Sequence, residues 1–219
     1  MVVGTEKKSH VITDKDKRLT AYHEAGHAVV TYFCPTQDPV HQISVIPRGM
    51  AGGYTMSLPS EDRSYRSKTE MLEDIQVLLG GRVAEALVLE DISTGASNDI
   101  ERASELARKM VTKYGMSAEL GPIMFGESES GNVFLGRDFG HNRNYSEEVA
   151  SKIDKEIHAI ITDGYNETSR KLTENMDKLH TVAQYLFDHE KVNAEQFVAL
   201  MEGRPVDEAE TSEEETVEE

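Results

Sequence analysis

His23-Glu24-Ala25-Gly26-His27 brings two imidazoles and a carboxylate into one pentapeptide. In a helix, residues four apart stand on the same face, so both rings can be directed at a single zinc ion at about 2.0–2.1 Å. Glu24 sits beside the first histidine and can reach a water on the open coordination position, taking its proton as general base. Zinc would lower the pKa of that water from 15.7 to about 7 and polarise a scissile carbonyl. The chemistry this spacing points to is hydrolysis of an amide bond.

A catalytic zinc of this type needs a third protein ligand. The extension that supplies a third histidine in metzincins is absent, because the chain continues Ala28-Val29-Val30-Thr31-Tyr32-Phe33 after His27. Two acids are candidates. Glu85 lies in Gly80-Gly81-Arg82-Val83-Ala84-Glu85 on a predicted downstream helix, where thermolysin-like enzymes carry a glutamate ligand. Asp99 follows Ser97-Asn98 at the first turn of another predicted helix, where the helix dipole favours the ionised form. Spacing and electrostatics leave both open.

The elements that must position these groups are mostly helices. Leu19, Tyr22, Gly26, Val29 and Phe33 form an apolar stripe that predicts a helix over 16–33, ended by Pro35. Thr20, His23, Glu24, His27 and Thr31 form a polar stripe opposite. Ala25, Gly26 and Ala28 are small and would let other structure approach the metal face closely. Residues 43–46 and 54–57 read as two short strands around a Gly-rich turn. Ser67-Lys68-Thr69-Glu70 is a capping box opening a helix to about Leu89. Ile100, Ala103, Ala107, Met110, Val111 and Tyr114 predict a helix stopped by Gly115. Residues 116–144 are Gly-rich and irregular, with an expected strand near 123–125. Further helices are expected from Ser146 through Leu172, around Met176 to Leu186, and around Phe197 to Met201. The fold class is therefore mainly α, a helical domain with a small β hairpin or sheet near the helix of the two histidines. Residues 1–15 read as a loose segment, 16–203 as the domain, and 204–219 as an acidic disordered tail.

Composition narrows the function classes. The 219 residues are 38% hydrophobic and 29% charged, with formal charge −17, and the mean hydropathy is −0.50. The tail from Asp207 onward carries eight acids and no base, yet the remainder is still acidic. Such a body repels phosphate backbones, so no nucleic-acid partner is expected. No stretch approaches the ~20 apolar residues of a membrane span, and the first ten residues lack the apolar region of a secretory signal. The single cysteine, Cys34, excludes an intramolecular disulfide and reads as a small buried hydrophobe. His10, His141, His158, His180 and His189 are not expected as ligands. His41, a short loop after the first helix, is the one other histidine that could approach the site.

Five separated motifs carry a resemblance: Ala21-Tyr22-His23-Glu24-Ala25-Gly26-His27-Ala28, Ile43-Ser44-Val45-Ile46-Pro47-Arg48-Gly49, Leu79-Gly80-Gly81-Arg82-Val83-Ala84-Glu85, Ser93-Thr94-Gly95-Ala96-Ser97-Asn98-Asp99 and Phe134-Leu135-Gly136-Arg137. In this order and at these distances, from about Thr5 to Met201, the chain resembles the peptidase domain of the FtsH family, membrane-anchored AAA+ zinc metalloproteases. The resemblance implies His23, His27 and Asp99 as zinc ligands, Glu24 as catalytic base, and Glu85 in support of a histidine ligand.

It further implies a zinc endopeptidase that acts on unfolded polypeptides, a homo-hexamer, and a full-length parent at the cytoplasmic face of a cell membrane or an organellar equivalent. Family members carry membrane helices and an ATPase module before the peptidase. Here no G-x-x-x-x-G-K-[ST] phosphate loop occurs, and the chain is expected to be an excised peptidase domain, soluble in itself. The alternative is a helical adaptor or assembly domain that has lost catalysis. That reading expects a damaged set, whereas His23, Glu24, His27 and Asp99 are all present.

Overall fold

The computed structural model describes residues 13–47, 52–59, 64–89, 91–126 and 145–206. The loop at 48–51, the Phe134-Leu135-Gly136-Arg137 motif, His10, His141, most of the N-terminal segment and most of the acidic tail lie outside these residues.

Helix α1 (Asp14–Tyr32) begins where Thr13 accepts a hydrogen bond from the Asp16 amide, with Asp14 and Asp16 in the first turn complementing the helix dipole. It ends just before Pro35. Every residue from Ala21 to Thr31 is buried. The polar stripe read from the sequence is therefore no solvent face; it is an interior surface that other elements cover.

Helix α2 (Lys68–Val88) opens with the expected capping box, Ser67 and Glu70 each capping the other's backbone amide. It packs along α1. The crossing point is a glycine pair. A Cβ on Gly26 would stand 2.4 Å from the Gly80 carbonyl oxygen, and one on Gly80 would stand 2.8 Å from that of Gly26. Only hydrogen fits at either position, so the two backbones touch.

Helix α3 (Ser97–Thr112) starts earlier than the sequence pattern indicates. Its N-cap is Ala96, with no side-chain cap bond, and Ser97 and Asn98 lie inside the first turn with Asp99. Ala103, Ala107, Met110 and Val111 are buried, whereas Ile100 and Tyr114, expected on the same face, are 37% and 46% exposed. Gly115 follows with φ +60°, the left-handed stop expected of it. The strand expected near 123–125 is absent. Ile123 and Met124 are exposed, and the Phe125 amide donates to Thr112 O instead of entering a sheet.

Helices α4 (Glu147–Glu174), α5 (Met176–His189) and α6 (Ala194–Glu202) complete the helical part. Strands β1 (Val40–Ser44), β2 (Tyr54–Ser57) and β3 (Lys191–Asn193) form one antiparallel sheet in the order β2-β1-β3, with Ile43 opposite Thr55 on one side and Val192 on the other. The β1–β2 pair is the expected hairpin, with β1 shifted toward the N-terminus. β3 is a strand the sequence reading did not include. Glu190, left-handed at φ 68°, caps α5 and turns the chain straight into it.

The core lies where α1, α2, α5 and β1 meet, around Ala25, Val29, Ile43, Ile75, Val83, Leu179, Leu186 and Val192. Each fully buried aliphatic side chain of this kind contributes about 1.5–3 kcal/mol. Met71, Met110 and Met201 are core residues, Met176 packs partly buried against the core, and Cys34 is buried as expected.

Candidate metal centre

The middle of α1 supplies His23, Glu24 and His27, and the first turn of α3 supplies Asp99. His23 Nε2 and His27 Nε2 stand 3.1 Å apart, and Asp99 Oδ2 lies 3.4 Å and 3.5 Å from them. Three donors of a tetrahedral ion, each ~2.0–2.1 Å from it, are ~3.3–3.4 Å from one another by trigonometry. The observed edges, 3.1 to 3.5 Å, lie within about 0.3 Å of that value. Among the described residues this is the one group of three such side chains arranged to hold a metal.

The other ring nitrogens explain why both Nε2 atoms face the same point. His23 Nδ1 lies 2.8 Å from Glu85 Oε1, and His27 Nδ1 lies 2.7 Å from Val77 O. Carboxylate and carbonyl oxygens accept only, so each Nδ1 carries a proton and donates. In the neutral tautomer that leaves two Nε2 lone pairs and a carboxylate oxygen converging, an arrangement that repels itself unless a cation lies between. The donor set thus fits zinc in type, number and spacing.

Helix α2 holds the rings from behind. Glu85 is fully buried and accepts from the Ser93 amide at 2.8 Å and the Ser93 hydroxyl at 3.0 Å, besides His23. Arg82 donates to Ser93 O at 2.8 Å, which pins the segment leading into α3 and so the position of Asp99. A Cβ on Gly81 would fall 2.5 Å from the His23 ring. The Gly80-Gly81 pair therefore does two things: the first residue admits α1, and the second admits the imidazole.

Charge is concentrated here. Burial alone would lower the His23 pKa, but the bonds to Asp99 and Glu85 and the charge of Glu24 override it and raise it to about 9. Burial disfavours the Asp99 anion, yet the two imidazoles draw its carboxyl well below the usual range. Glu85 likewise resists burial through His23 and Ser93 and is lowered. Glu24 goes the other way. Burial pushes its carboxyl up, only partly opposed by His27, His23 and the Thr55 hydroxyl.

The structure brings together His23, Glu24, His27 and Asp99, the four site residues singled out in the sequence. Glu85 contacts His23 from the far side of the ring and stands away from the point where the Nε2 atoms converge. His41 is exposed on β1. His158, His180 and His189 lie on α4 and α5, with His180 Nδ1 2.9 Å from the Tyr22 hydroxyl. Sequence reasoning missed two participants, Ser93 beneath Glu85 and Thr55 beside Glu24. Both are single hydroxyls in short segments, and neither has a spacing pattern that could have flagged it.

Comparison with known proteins gives the family of the chain. The sequence model of peptidase family M41 matches residues 10–200. The chain is 58% identical over 207 residues to ATP-dependent zinc metalloprotease FtsH 1 of a Thermoanaerobacter species, covering 94% of this chain and 34% of that protein. It is 57% identical over 201 residues to the FtsH of Caldicellulosiruptor bescii, covering 92% and 32%. With the FtsH of Bacillus subtilis the identity is 48% over 202 residues, again covering 92% and 32%. The chain spans about a third of the length of the curated relatives it matches.

Proposed function

Because the chain belongs to peptidase family M41, we propose that it is the zinc-dependent endopeptidase portion of a longer ATP-dependent protease. The reading rests on one observation above all. His23 Nε2, His27 Nε2 and Asp99 Oδ2 converge with metal-ligand spacing, and the buried carboxylate of Glu24 lies next to them.

His23, His27 and Asp99 would hold the ion, and bound zinc would polarise the scissile carbonyl and acidify the attacking water. Glu24 accepts the proton of that water and returns it to the departing amine nitrogen. Its raised affinity for a proton suits both halves of that task. Glu85 and the Val77 carbonyl hold the two imidazoles in the donating tautomer that frees Nε2. Strand β2, at the edge of the sheet and against Glu24, offers main-chain groups along which an extended polypeptide could lie.

Unfolded polypeptides are accordingly the proposed substrates, since an edge strand pairs only with backbone that is not already paired. The longer protein is proposed to be a membrane-anchored homo-hexamer whose catalytic face is cytoplasmic. Among the described residues, no helix is long and apolar enough to cross a membrane.

The test is cleavage of a permanently unfolded protein such as reduced, denatured casein. The chain should cleave it, lose that activity to a zinc chelator and regain it on adding zinc. Glu24→Gln should retain zinc while kcat falls by ~100- to 10,000-fold, the range of general-base catalysis. Chelator-resistant cleavage, or a Glu24→Gln variant at full rate, would show the assignment to be wrong.

A further inference from the structure

We propose that Thr55 is a positioning residue that aims the Glu24 carboxylate; the inference rests on the peptidase reading above. Thr55 Oγ1 lies 2.9 Å from Glu24 Oε2 and 3.1 Å from the Glu24 main-chain oxygen. Both acceptors belong to one residue, so the single hydroxyl hydrogen ties the side chain and the backbone of Glu24 to β2. Among the described residues, no hydrogen bond engages Oε1. The two carboxylate oxygens are thus unequal. Oε2 is held, and Oε1 is left to accept the proton of the attacking water.

The bond answers a specific need. The last torsion of a glutamate is broad and roughly two-fold, so an unheld carboxylate rotates freely. A general base must instead present one lone pair within hydrogen-bond reach of the water. Local packing fixes the stem while Thr55 fixes the tip. A Cβ on Gly53 would fall 3.0 Å from Glu24 Cγ, 2.6 Å from Ser44 O and 2.8 Å from Thr20 Cγ2, so the backbone entering β2 passes close to the base and has room for no side chain there. Thr55 is itself held in register opposite Ile43, which is fully buried. Valine would serve the strand and the packing equally well, having the same shape and a similar preference for pleated structure. The hydroxyl is what the position needs threonine for.

The experiment compares the unsubstituted chain with Thr55→Val and Thr55→Ser on an unfolded substrate, reading kcat, KM, bound zinc and Tm for each. Thr55→Val should keep zinc, Tm and KM while kcat falls roughly 10- to 100-fold, the loss of one hydrogen bond to a charged group. Thr55→Ser should recover most of kcat, because it restores the donor without the methyl. Wild-type kcat in Thr55→Val overturns the proposal and leaves the peptidase reading intact. A fall in kcat that comes with lost zinc or lowered Tm also overturns it, since Thr55 would then be a structural tie only, as does a serine variant that stays slow. Absence of cleavage by the unsubstituted chain overturns both readings together.

Discussion

Three carboxylates lie against the rings of His23 and His27, and their surroundings divide the work between them. Asp99 meets the Nε2 side of both rings. Glu85 meets the Nδ1 side of one and spends its other contacts on Ser93. Glu24 is the one carboxylate of the three whose proton affinity is raised. Exchanging a carboxylate for an amide should therefore have unequal effects. Asp99→Asn replaces an anionic donor with a neutral oxygen and should strip zinc and abolish cleavage. Glu85→Gln should weaken zinc binding by ~10–100-fold, as changes behind a ligand do. Metal content after dialysis against a weak chelator ranks them, and the reverse order would reassign the third donor to Glu85. The pair His23 and His27 could be read from the sequence because the relation is local, one helical turn. Asp99 could not be separated from Glu85 on spacing and charge alone, since what separates them is which face of an imidazole each reaches. Thr55 and Ser93 were invisible because each is a lone hydroxyl in a short segment, Thr55 reaching a partner 31 residues away and Ser93 one eight residues away across a loop.

Helices announce themselves where propensity, capping and periodicity agree, and α2 did so. The capping box at Ser67 works by contacts within four residues, which sequence spacing records faithfully. The lapses have physical causes too. β3 has three residues, too few to show a period, and is a strand only because β1 offers it an edge. Residues 123–125 are apolar enough to suggest a strand but find no partner among the described strands. The all-round burial of α1 was hidden because its polar stripe serves a site inside the protein. That burial makes the helix crossing intolerant of added atoms. Gly26→Ala gains about 1 kcal/mol of helix propensity but drives a methyl against the backbone oxygen of Gly80. Backbone cannot rotate away, so the clash should win by ~1–3 kcal/mol, lowering Tm by roughly 2–4 °C per kcal/mol. Gly81→Ala meets the His23 ring instead, and should cost zinc affinity more than Tm. Thermal melts paired with zinc titrations separate the two; an unchanged Tm in Gly26→Ala would contradict the close crossing.

Taken whole, the chain has the parts for cutting a polypeptide and lacks the sequence signature for unfolding one. Opening a folded substrate costs ~5–15 kcal/mol, and the sequence contains no phosphate loop that could couple nucleotide hydrolysis to that work. Cleavage of denatured polypeptide should therefore proceed without ATP, and a stably folded protein should survive with or without it. Side-by-side digestion with and without ATP checks this, and ATP-accelerated loss of the folded substrate would refute it. The mainly helical class was legible in the sequence because most elements are long and periodic. The closure of the molecule was not, because it depends on pairings between distant segments. Those pairings also set an order of events during synthesis. The histidine helix is made before its partners, so Tyr22 waits for His180, Lys17 for Glu190, and the second edge of β1 for residues 191–193. A nascent chain therefore carries its reactive residues before the distant segments that brace their helix have been made.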